Sequence, residues 1–483
     1  MNFFGIALGF YATLFVYPYD WELYGSIQYW LSSAALLVPI LRLGTVSLVS
    51  KYYPYFEKNK IPGFLGMILQ IAALSVVGMS LLIVLLAWCF QDTEFLQKIQ
   101  MNKREALLIY LFCLAFIANN IFQFQAANSR RIVLPDLINN VLFKLFLMSI
   151  ILGTYYGFLD RELAGPLLIL FYVGSALLLM FYVISLGNFP ISGFRWKMLS
   201  PDFKRGMWTY WLLGVLNSIG MLLAYKIDIF IIGSNMENTS VGYYSTFLFM
   251  TNVMSVPMNS LDQISRPEIA ESFEHDDIGR IDRIYKKTSN NLLVIGTIIL
   301  ITIWIGIYFL LEVMKNGHEL KPFVMCLLFL GIAKIFDLAT SVNSLIINYS
   351  KWYRYNLLFL LMVSAMNITL NLLFIEDYGI IGVALATMTS LFIFNSIKTL
   401  FIYAKLKIHP FTHKSWIIFG ILSIGLTLGT ILQSTHLFQS SIINLLLYCG
   451  VTAGIFSLVF YFLKLSPELN SIADRFLKRS SRD

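Results

Sequence analysis

Apolar runs of about 18 to 25 residues return again and again along this chain, each long enough to carry a helix across roughly 30 Å of hydrocarbon. Runs of that length exclude an outer-membrane barrel, whose strands cross in about ten residues. Only 13% of the 483 residues are charged and 58% are hydrophobic, whereas a soluble domain carries about 25% charged residues. The chain therefore reads as an all-α polytopic membrane protein. Fourteen helices are expected, at 2–17, 24–50, 62–90, 104–128, 136–159, 164–187, 208–233, 240–264, 290–312, 322–347, 355–374, 379–402, 415–433 and 441–463.

Charge fixes the expected orientation. With both termini inside, 24 of the 35 Lys and Arg fall in cytoplasmic loops and the tail, six in outer loops and five within helices. Such a bias is what the positive-inside rule requires. The formal net charge of +8 is thus assigned to topology and to contact with anionic lipid headgroups, not to a nucleic-acid surface. No basic leader opens the sequence, so a removable signal peptide is not expected. The cysteines, Cys89, Cys113, Cys326 and Cys449, lie in apolar segments without a CxxC pair and read as ordinary thiols. The histidines are scattered, and neither a metal site nor a bound cofactor is predicted.

The chain also looks duplicated. At an offset of 217 residues Gly25 falls on Gly242, Phe56-Glu57 on Phe273-Glu274, Asp160 on Asp377 and Gly165 on Gly382. Asn120 falls on Asp337 at the same offset. Helices one to six then superpose on seven to twelve in order and orientation, a parallel repeat about an axis along the membrane normal. The expected organisation is a six-helix lobe with its cytoplasmic linker at 1–206, a second lobe at 207–414, two further helices at 415–463 and a cytoplasmic amphipathic tail at 464–483. Two lobes of this kind suggest a transporter working by alternating access. No GxxxxGK[ST] phosphate loop is present, so energy must come from an ion gradient or from the cargo.

Several stretches resemble one family. KIDIFIIGSNMENTSVGYYSTFLFMTNVMSVPMNSLDQISRPEIAESFE is similar to helices seven and eight of polysaccharide flippases of the Wzx type: an Asp in helix seven, a Gly-Tyr after the loop, a Pro within helix eight and a Pro-Glu before a cytoplasmic connector. ELYGSIQYWLSSAALLVPILRLGTVSLVSKYYPYFEKNKIPGFL resembles that family's first two helices, and FIEDYGIIGVALATMTS its joint between helices eleven and twelve. The resemblance covers essentially the whole chain. It implies the MATE-like fold of the multidrug and polysaccharide exporter superfamily. It also implies movement of an undecaprenyl-diphosphate-linked oligosaccharide between leaflets of a bacterial inner membrane, in surface polysaccharide (O-antigen, lipopolysaccharide) synthesis. Helices thirteen and fourteen would then border a groove for the lipid tail. The chain departs from the pattern at its start, because the usual basic segment before helix one is missing. Residues 2–17 carry no charge, unlike lipid II flippases, which keep arginines there, and many drug antiporters, which keep an Asp.

A diphosphate crossing hydrocarbon needs fixed cations in place of its hydration. The candidates are Arg42, Lys144, Lys226 and Lys334. Arg42 ranks first because its fork engages phosphate oxygens in a bidentate way. The bland alternative for each is a structural cation or one that reaches the headgroups. Lys398 lies near a helix end, where it is expected to snorkel. Asp228 and Asp337 are the candidates for coupling to Na⁺ or H⁺. Lys226 and Asp228 stand two apart, about 200° around a helix, and cannot neutralise each other. Lys334 and Asp337 share a face, so a self-neutralised pair is the bland expectation there. Asn119, Asn120 and Gln123 are candidate sugar contacts, against the commoner role of amides as interhelical glue.

Outside the spans, Ser466 and Pro467 mark a helix start. Leu469, Ile472, Phe476 and Leu477 beside Arg475, Lys478 and Arg479 suggest a helix lying on the inner leaflet. Ile278, Ile281, Ile284 and Tyr285 suggest another. Expected partners are the lipid-linked substrate, membrane lipids and glycan polymerase or assembly proteins. A cation-coupled multidrug exporter of the same fold is the first alternative, although helices one to six hold no interior carboxylate. A membrane glycan polymerase or ligase is the second, and the longest outer loop, about 13 residues between helices three and four, leaves little room for one.

Overall fold

The computed structural model describes residues 2–59, 61, 63–89, 103–186, 199–433, 435, 437–471 and 474. All regular structure among them is helical. Each of the fourteen expected helices has a counterpart. Among the described residues, eight helices are individually long and apolar enough to cross a membrane, or nine with the bent pair Gly317–Phe323 and Met325–Thr340. The expected outer loop, 91–102, and tail residues Ile472, Arg475, Phe476, Leu477, Lys478 and Arg479 lie outside the described residues.

The chain forms two compact units, Met1–Gly242 and Tyr243–Asp483. In the first, the helix Asn2–Tyr11 widens into a π-helical turn at Ala12–Val16 and then tightens into a 3₁₀ turn at Tyr17–Tyr19. Asp20 then caps the next helix, its Oδ1 accepting from the Leu23 amide at 3.0 Å. That helix, Trp21–Arg42, stops at Leu43 and Gly44, both left-handed with φ 46° and 67°, and a new helix runs over Thr45–Lys58. The single helix expected at 24–50 is therefore two. Phe64–Cys89, Lys103–Asn128 and Ala164–Ser185 are continuous, whereas the fifth span passes through a π turn at Ile138–Leu142. Pro201–Asn235 starts at Ser200, whose Oγ accepts from Phe203 N, with Pro201 where its missing N–H is no loss. Side chains such as Leu74 (75% exposed), Leu170 (65%) and Phe181 (63%) stand outward, as a lipid-facing surface allows and water does not.

In the second unit the span expected at 240–264 is also broken, into Asn238–Asn252, which begins at the boundary, and Ser255–Glu274. Ile278–Val313 is one helix of 36 residues, about 54 Å long at 1.5 Å per residue. Its first turns hold the face expected on the inner leaflet, but Ile281 and Tyr285 are completely buried and Ile284 nearly so. That apolar face packs on protein, which corrects the lipid-surface reading. The tenth span breaks between Met325–Thr340 and Asn343–Tyr349 at Ser341. Tyr353–Leu406 holds two spans, separated at Gly379, whose φ of 55° and ψ of −138° suit only glycine. His413–Leu432 and Ser441–Phe462 pack on Ile278–Val313 around Leu300, Ile301, Ile305 and Phe309. Between helices in lipid, close packing and polar contacts supply the association. Here Asn290 takes hydrogen bonds from Thr412 and Ser415, and Ser466 donates to Asn291 at 2.7 Å.

Candidate functional site

Lys226 and Asp228 do part company on Pro201–Asn235. Lys226 is exposed and has no hydrogen bond or ion pair among the described residues, whereas Asp228 is 4% exposed and partnered. The 200° separation of positions i and i+2 sends the two side chains into different surroundings.

The richest polar site of the first unit lies at the break in span two. Arg42 is the last residue before the break and is half-buried, and its Nε is shielded from solvent without an acceptor among the described residues. Thr45 opens the next helix, fully buried, and its Oγ1 likewise has no partner among them. No side chain caps that helix at Gly44, so its first-turn N–H groups carry the positive end of the dipole. Gly44 lies against Trp211 and Val215 of Pro201–Asn235: a Cβ there would stand 3.3 Å from the Trp211 carbonyl oxygen. The Trp211 indole Nε1 is also buried without an acceptor among the described residues.

A fourth member was missed from sequence. Cys113 Sγ donates to the Ala34 carbonyl and Asn128 Nδ2 to the Val49 carbonyl, both across 79 positions. Lys103–Asn128 therefore runs parallel to the second span at constant register. That register sets Gln125 level with residue 46, beside Thr45. Gln125 is fully buried, and neither its Oε1 nor its Nε2 has a partner among the described residues. Orphaned buried polar atoms are rare in folded proteins. Arg42 and Thr45 at the break, and Gln125 and Trp211 on two helices that pack on Thr45–Lys58, meet this description, and most of their unsatisfied atoms are donors. Unsatisfied N–H donors beside an uncapped helix N-terminus are the kind of groups that can bind an anion.

The other first-unit candidates are engaged within the bundle. Lys144 Nζ donates to the Gly5 carbonyl at 2.6 Å, tying span five to span one beside the π turns of both. Asn119 donates to Ser175 Oγ and Asn120 to the Phe116 carbonyl of its own helix, whereas Gln123 is half-buried.

The second unit holds a different constellation. Asp337 forms no ion pair with Lys334 among the described residues; its Oδ1 instead accepts from Asn395 Nδ2 at 2.6 Å. The expected self-neutralised pair is thus replaced by an amide partner from Tyr353–Leu406. Asn395 Oδ1 accepts from Asn343 Nδ2 at 3.2 Å, Asn343 Oδ1 accepts from Ser344 Oγ at 3.3 Å, and Ser344 Oγ accepts from Lys398 Nζ at 2.6 Å. Lys398 is 2% exposed, with its Nζ 4.0 Å from the centre of the Phe394 ring. It does not snorkel, because its acceptor lies inside the bundle. Lys334 is half-buried. The sequence signal for Asn343, Asn395 and Lys398 was present as polar residues within apolar spans, but nothing local told which of them meet.

No protein-family model matches this sequence, and no curated protein does. Solved structures do share its fold. The lipid II flippase MurJ, in an inward closed conformation, superposes with a TM-score of 0.68 at 14% identity over 95% of this chain and 97% of that one. An inward-facing MATE family multidrug resistance transporter of the MOP superfamily gives 0.58 at 12% identity, over 83% and 94%. A MOP superfamily transporter from Pyrococcus furiosus gives 0.50 at 12%, over 83% and 92%. Coverage nearly end to end leaves no part of the described helices to another architecture. The chain is a multi-pass helical membrane protein with the MATE-like fold found in the transporters of the MOP superfamily.

Proposed function

We propose that this protein is a flippase that carries undecaprenyl-diphosphate-linked oligosaccharide across the bacterial inner membrane for surface polysaccharide synthesis. The observation that carries the reading is the group of orphaned polar side chains at the broken second span. A diphosphate is the lipid-linked group that most needs such a place. Arg42 would hold it by its fork, the first turn of Thr45–Lys58 by its N–H groups, and Thr45, Gln125 and Trp211 by single hydrogen bonds. Lys226, exposed and unpaired, supplies a second cation on the cargo's path, and Lys334 a third. Lys144, held by Gly5, acts as a brace. Gln123 is assigned to the sugar, since the amides of Asn119 and Asn120 are already bonded. The likeness to a solved lipid II flippase supports a lipid-linked cargo.

Transport needs no bond made or broken in the cargo, so the protein works as a transporter and not as an enzyme. The lobes 1–206 and 207–414 would alternate access to the two leaflets, with 415–463 beside the lipid tail and both termini in the cytoplasm. Glycan polymerase and assembly proteins would receive the product. Depleting the protein in its native bacterium and measuring lipid-linked oligosaccharides by mass spectrometry tests the reading. Complete repeat units should accumulate while the surface polymer falls, and the spectrum would name the sugar. Normal levels of both, in cells without a redundant transporter, would sink it. A cation-coupled exporter is the second reading, favoured by the buried carboxylates Asp228 and Asp337; drug accumulation in depleted cells with a normal surface glycan would support it.

A further inference from the structure

The chain turns back on itself where the last span meets the tail. Helix Ser441–Phe462 is followed by Lys464, whose φ of 49° lies in the left-handed region. Leu465 and Ser466 then turn inward, each 2% exposed. Ser466 caps the tail helix by accepting from Leu469 N at 3.2 Å. That helix is held against the bundle. Ser466 donates to Asn291, Glu468 pairs with Lys287 at 3.1 Å, Asn470 Nδ2 donates to the Tyr461 carbonyl at 2.7 Å, and the Tyr461 hydroxyl donates to Asp474.

Between the tail and the end of the span lies a cavity of about 480 Å³, lined by Lys414, Tyr461, Lys464, Asn470, Ser471 and Asp474. Its size falls within the roughly 300–1,000 Å³ of small-ligand sites. Lys414 gives one N–H to the Lys464 carbonyl at 2.7 Å, and an ammonium has further donors to offer. The Lys464 side chain is exposed, with no hydrogen bond or ion pair among the described residues. One Asp474 oxygen serves Tyr461, which leaves the other, with Asn470 Oδ1, as an acceptor. Two ammonium groups and one carboxylate give the lining a single net positive charge, the complement of a singly charged anion.

The surroundings narrow the class of anion. Phe462 lines the same cavity and is 74% exposed. Leu463 beside it and Trp416, two residues after Lys414, also stand outward, as side chains in contact with acyl chains do. The cavity therefore opens where hydrocarbon gives way to headgroups. We propose that it is a binding site for a resident membrane phospholipid, a singly charged phosphodiester with a hydroxyl-bearing headgroup of the phosphatidylglycerol kind. Lys414 and Lys464 hold the phosphate by charge-assisted hydrogen bonds. Asp474 and Asn470 accept from the headgroup hydroxyls, and the acyl chains lie along Phe462 and Leu463. Bound there, the lipid ties the tail to His413–Leu432 and Ser441–Phe462. The inference does not rest on the identity of the cargo, because this lipid stays with the protein and is not carried.

The test titrates lipids onto delipidated full-length protein in detergent and counts bound molecules by native mass spectrometry. Phosphatidylglycerol should bind about tenfold more tightly than phosphatidylmethanol, which has the same charge and no headgroup hydroxyl, the worth of a hydrogen bond to a charged acceptor. Lys464→Gln should lose about tenfold in affinity for phosphatidylglycerol, the worth of one bond from a charged donor, and should leave the melting temperature of the lipid-free protein unchanged. Lys464→Arg should keep the affinity, and Lys58→Gln, the same charge change at another exposed lysine, should not alter it. Should Lys464→Gln fail to fold, the preference of the wild type between the two lipids still decides. Equal binding of both lipids, or wild-type affinity in Lys464→Gln, overturns the proposal in favour of unspecific lipid contact. Displacement of phosphatidylglycerol by inorganic phosphate overturns it by making the ligand a free anion. Displacement by undecaprenyl phosphate overturns it by assigning the cavity to the cargo.

Discussion

At the scale of single residues, the site in span two invites a test that separates function from folding. Thr45 keeps a hydroxyl where the protein alone gives it no partner. A buried group in that position costs about 1–3 kcal/mol, so Thr45→Val, nearly the same shape, should leave the melting temperature unchanged or raise it. Transport of a diphosphate-bearing lipid should nevertheless fall about tenfold, the worth of one hydrogen bond to a charged group at roughly 1.5 kcal/mol. Arg42→Lys keeps the charge but removes the fork, and should lower transport by at least as much at equal protein level. Lys226→Gln should impair transport in the same way, because an exposed lysine without a partner contributes little to the fold. Flipping in reconstituted vesicles, set beside thermal melts in detergent, distinguishes the cases. A Thr45→Val variant that melts lower and transports normally would make the hydroxyl structural and remove it from the site.

At the scale of helices, sequence and structure differ at the interruptions. The apolar runs predicted all fourteen helices because each must satisfy its own backbone in lipid. They did not reveal that spans two, eight and ten are broken. Span two carried a hint in Leu43-Gly44, where a glycine can take the positive φ. Span ten carried none: Thr340-Ser341-Val342 contains neither Gly nor Pro, and its geometry is imposed by partners 50 or more residues away. The same distance explains the candidate residues. Arg42 was legible as a cation in an apolar run, whereas Gln125 became visible only when the register of two parallel helices was known. Lys398 looked close enough to a helix end to escape the membrane until Ser344 proved to be its acceptor. Ser341, at φ 43° and ψ −116°, allows a direct measurement of backbone strain. Ser341→Gly removes a misfit of about 1–3 kcal/mol and adds about 0.5–1 kcal/mol of unfolded-state freedom. It should therefore raise stability by roughly 1 kcal/mol in denaturant titrations, whereas Ser341→Ala should not. A destabilised glycine variant would show that the backbone there is not strained.

At the scale of the molecule, the expected duplication makes a demand that two matched glycines can test. In a two-fold arrangement, a residue on the axis touches its own mate. The 217-residue offset pairs Gly25 with Gly242, and these two lie against each other. A Cβ on Gly25 would stand 3.0 Å from the Gly242 nitrogen and 1.7 Å from the Asn238 carbonyl oxygen. A Cβ on Gly242 would stand 3.5 Å from the Gly25 nitrogen and 2.7 Å from the Trp21 carbonyl oxygen. The atoms in the way are backbone, so no side-chain rotation relieves the contact. Gly25→Ala must push the helix Trp21–Arg42 away from residues 238–242, and overpacking of this kind costs about 1–3 kcal/mol. Gly242→Ala meets the reciprocal obstruction and, if the two glycines are equivalent, should cost a similar amount. Gly206, with open space around its missing Cβ, serves as the control, and Gly206→Ala should be nearly neutral. Melting temperatures of the three variants in one detergent decide the point. Similar losses at 25 and 242, with none at 206, would mark the pair as a shared close contact between repeats. A loss at only one of them would make the matched glycines a coincidence of sequence.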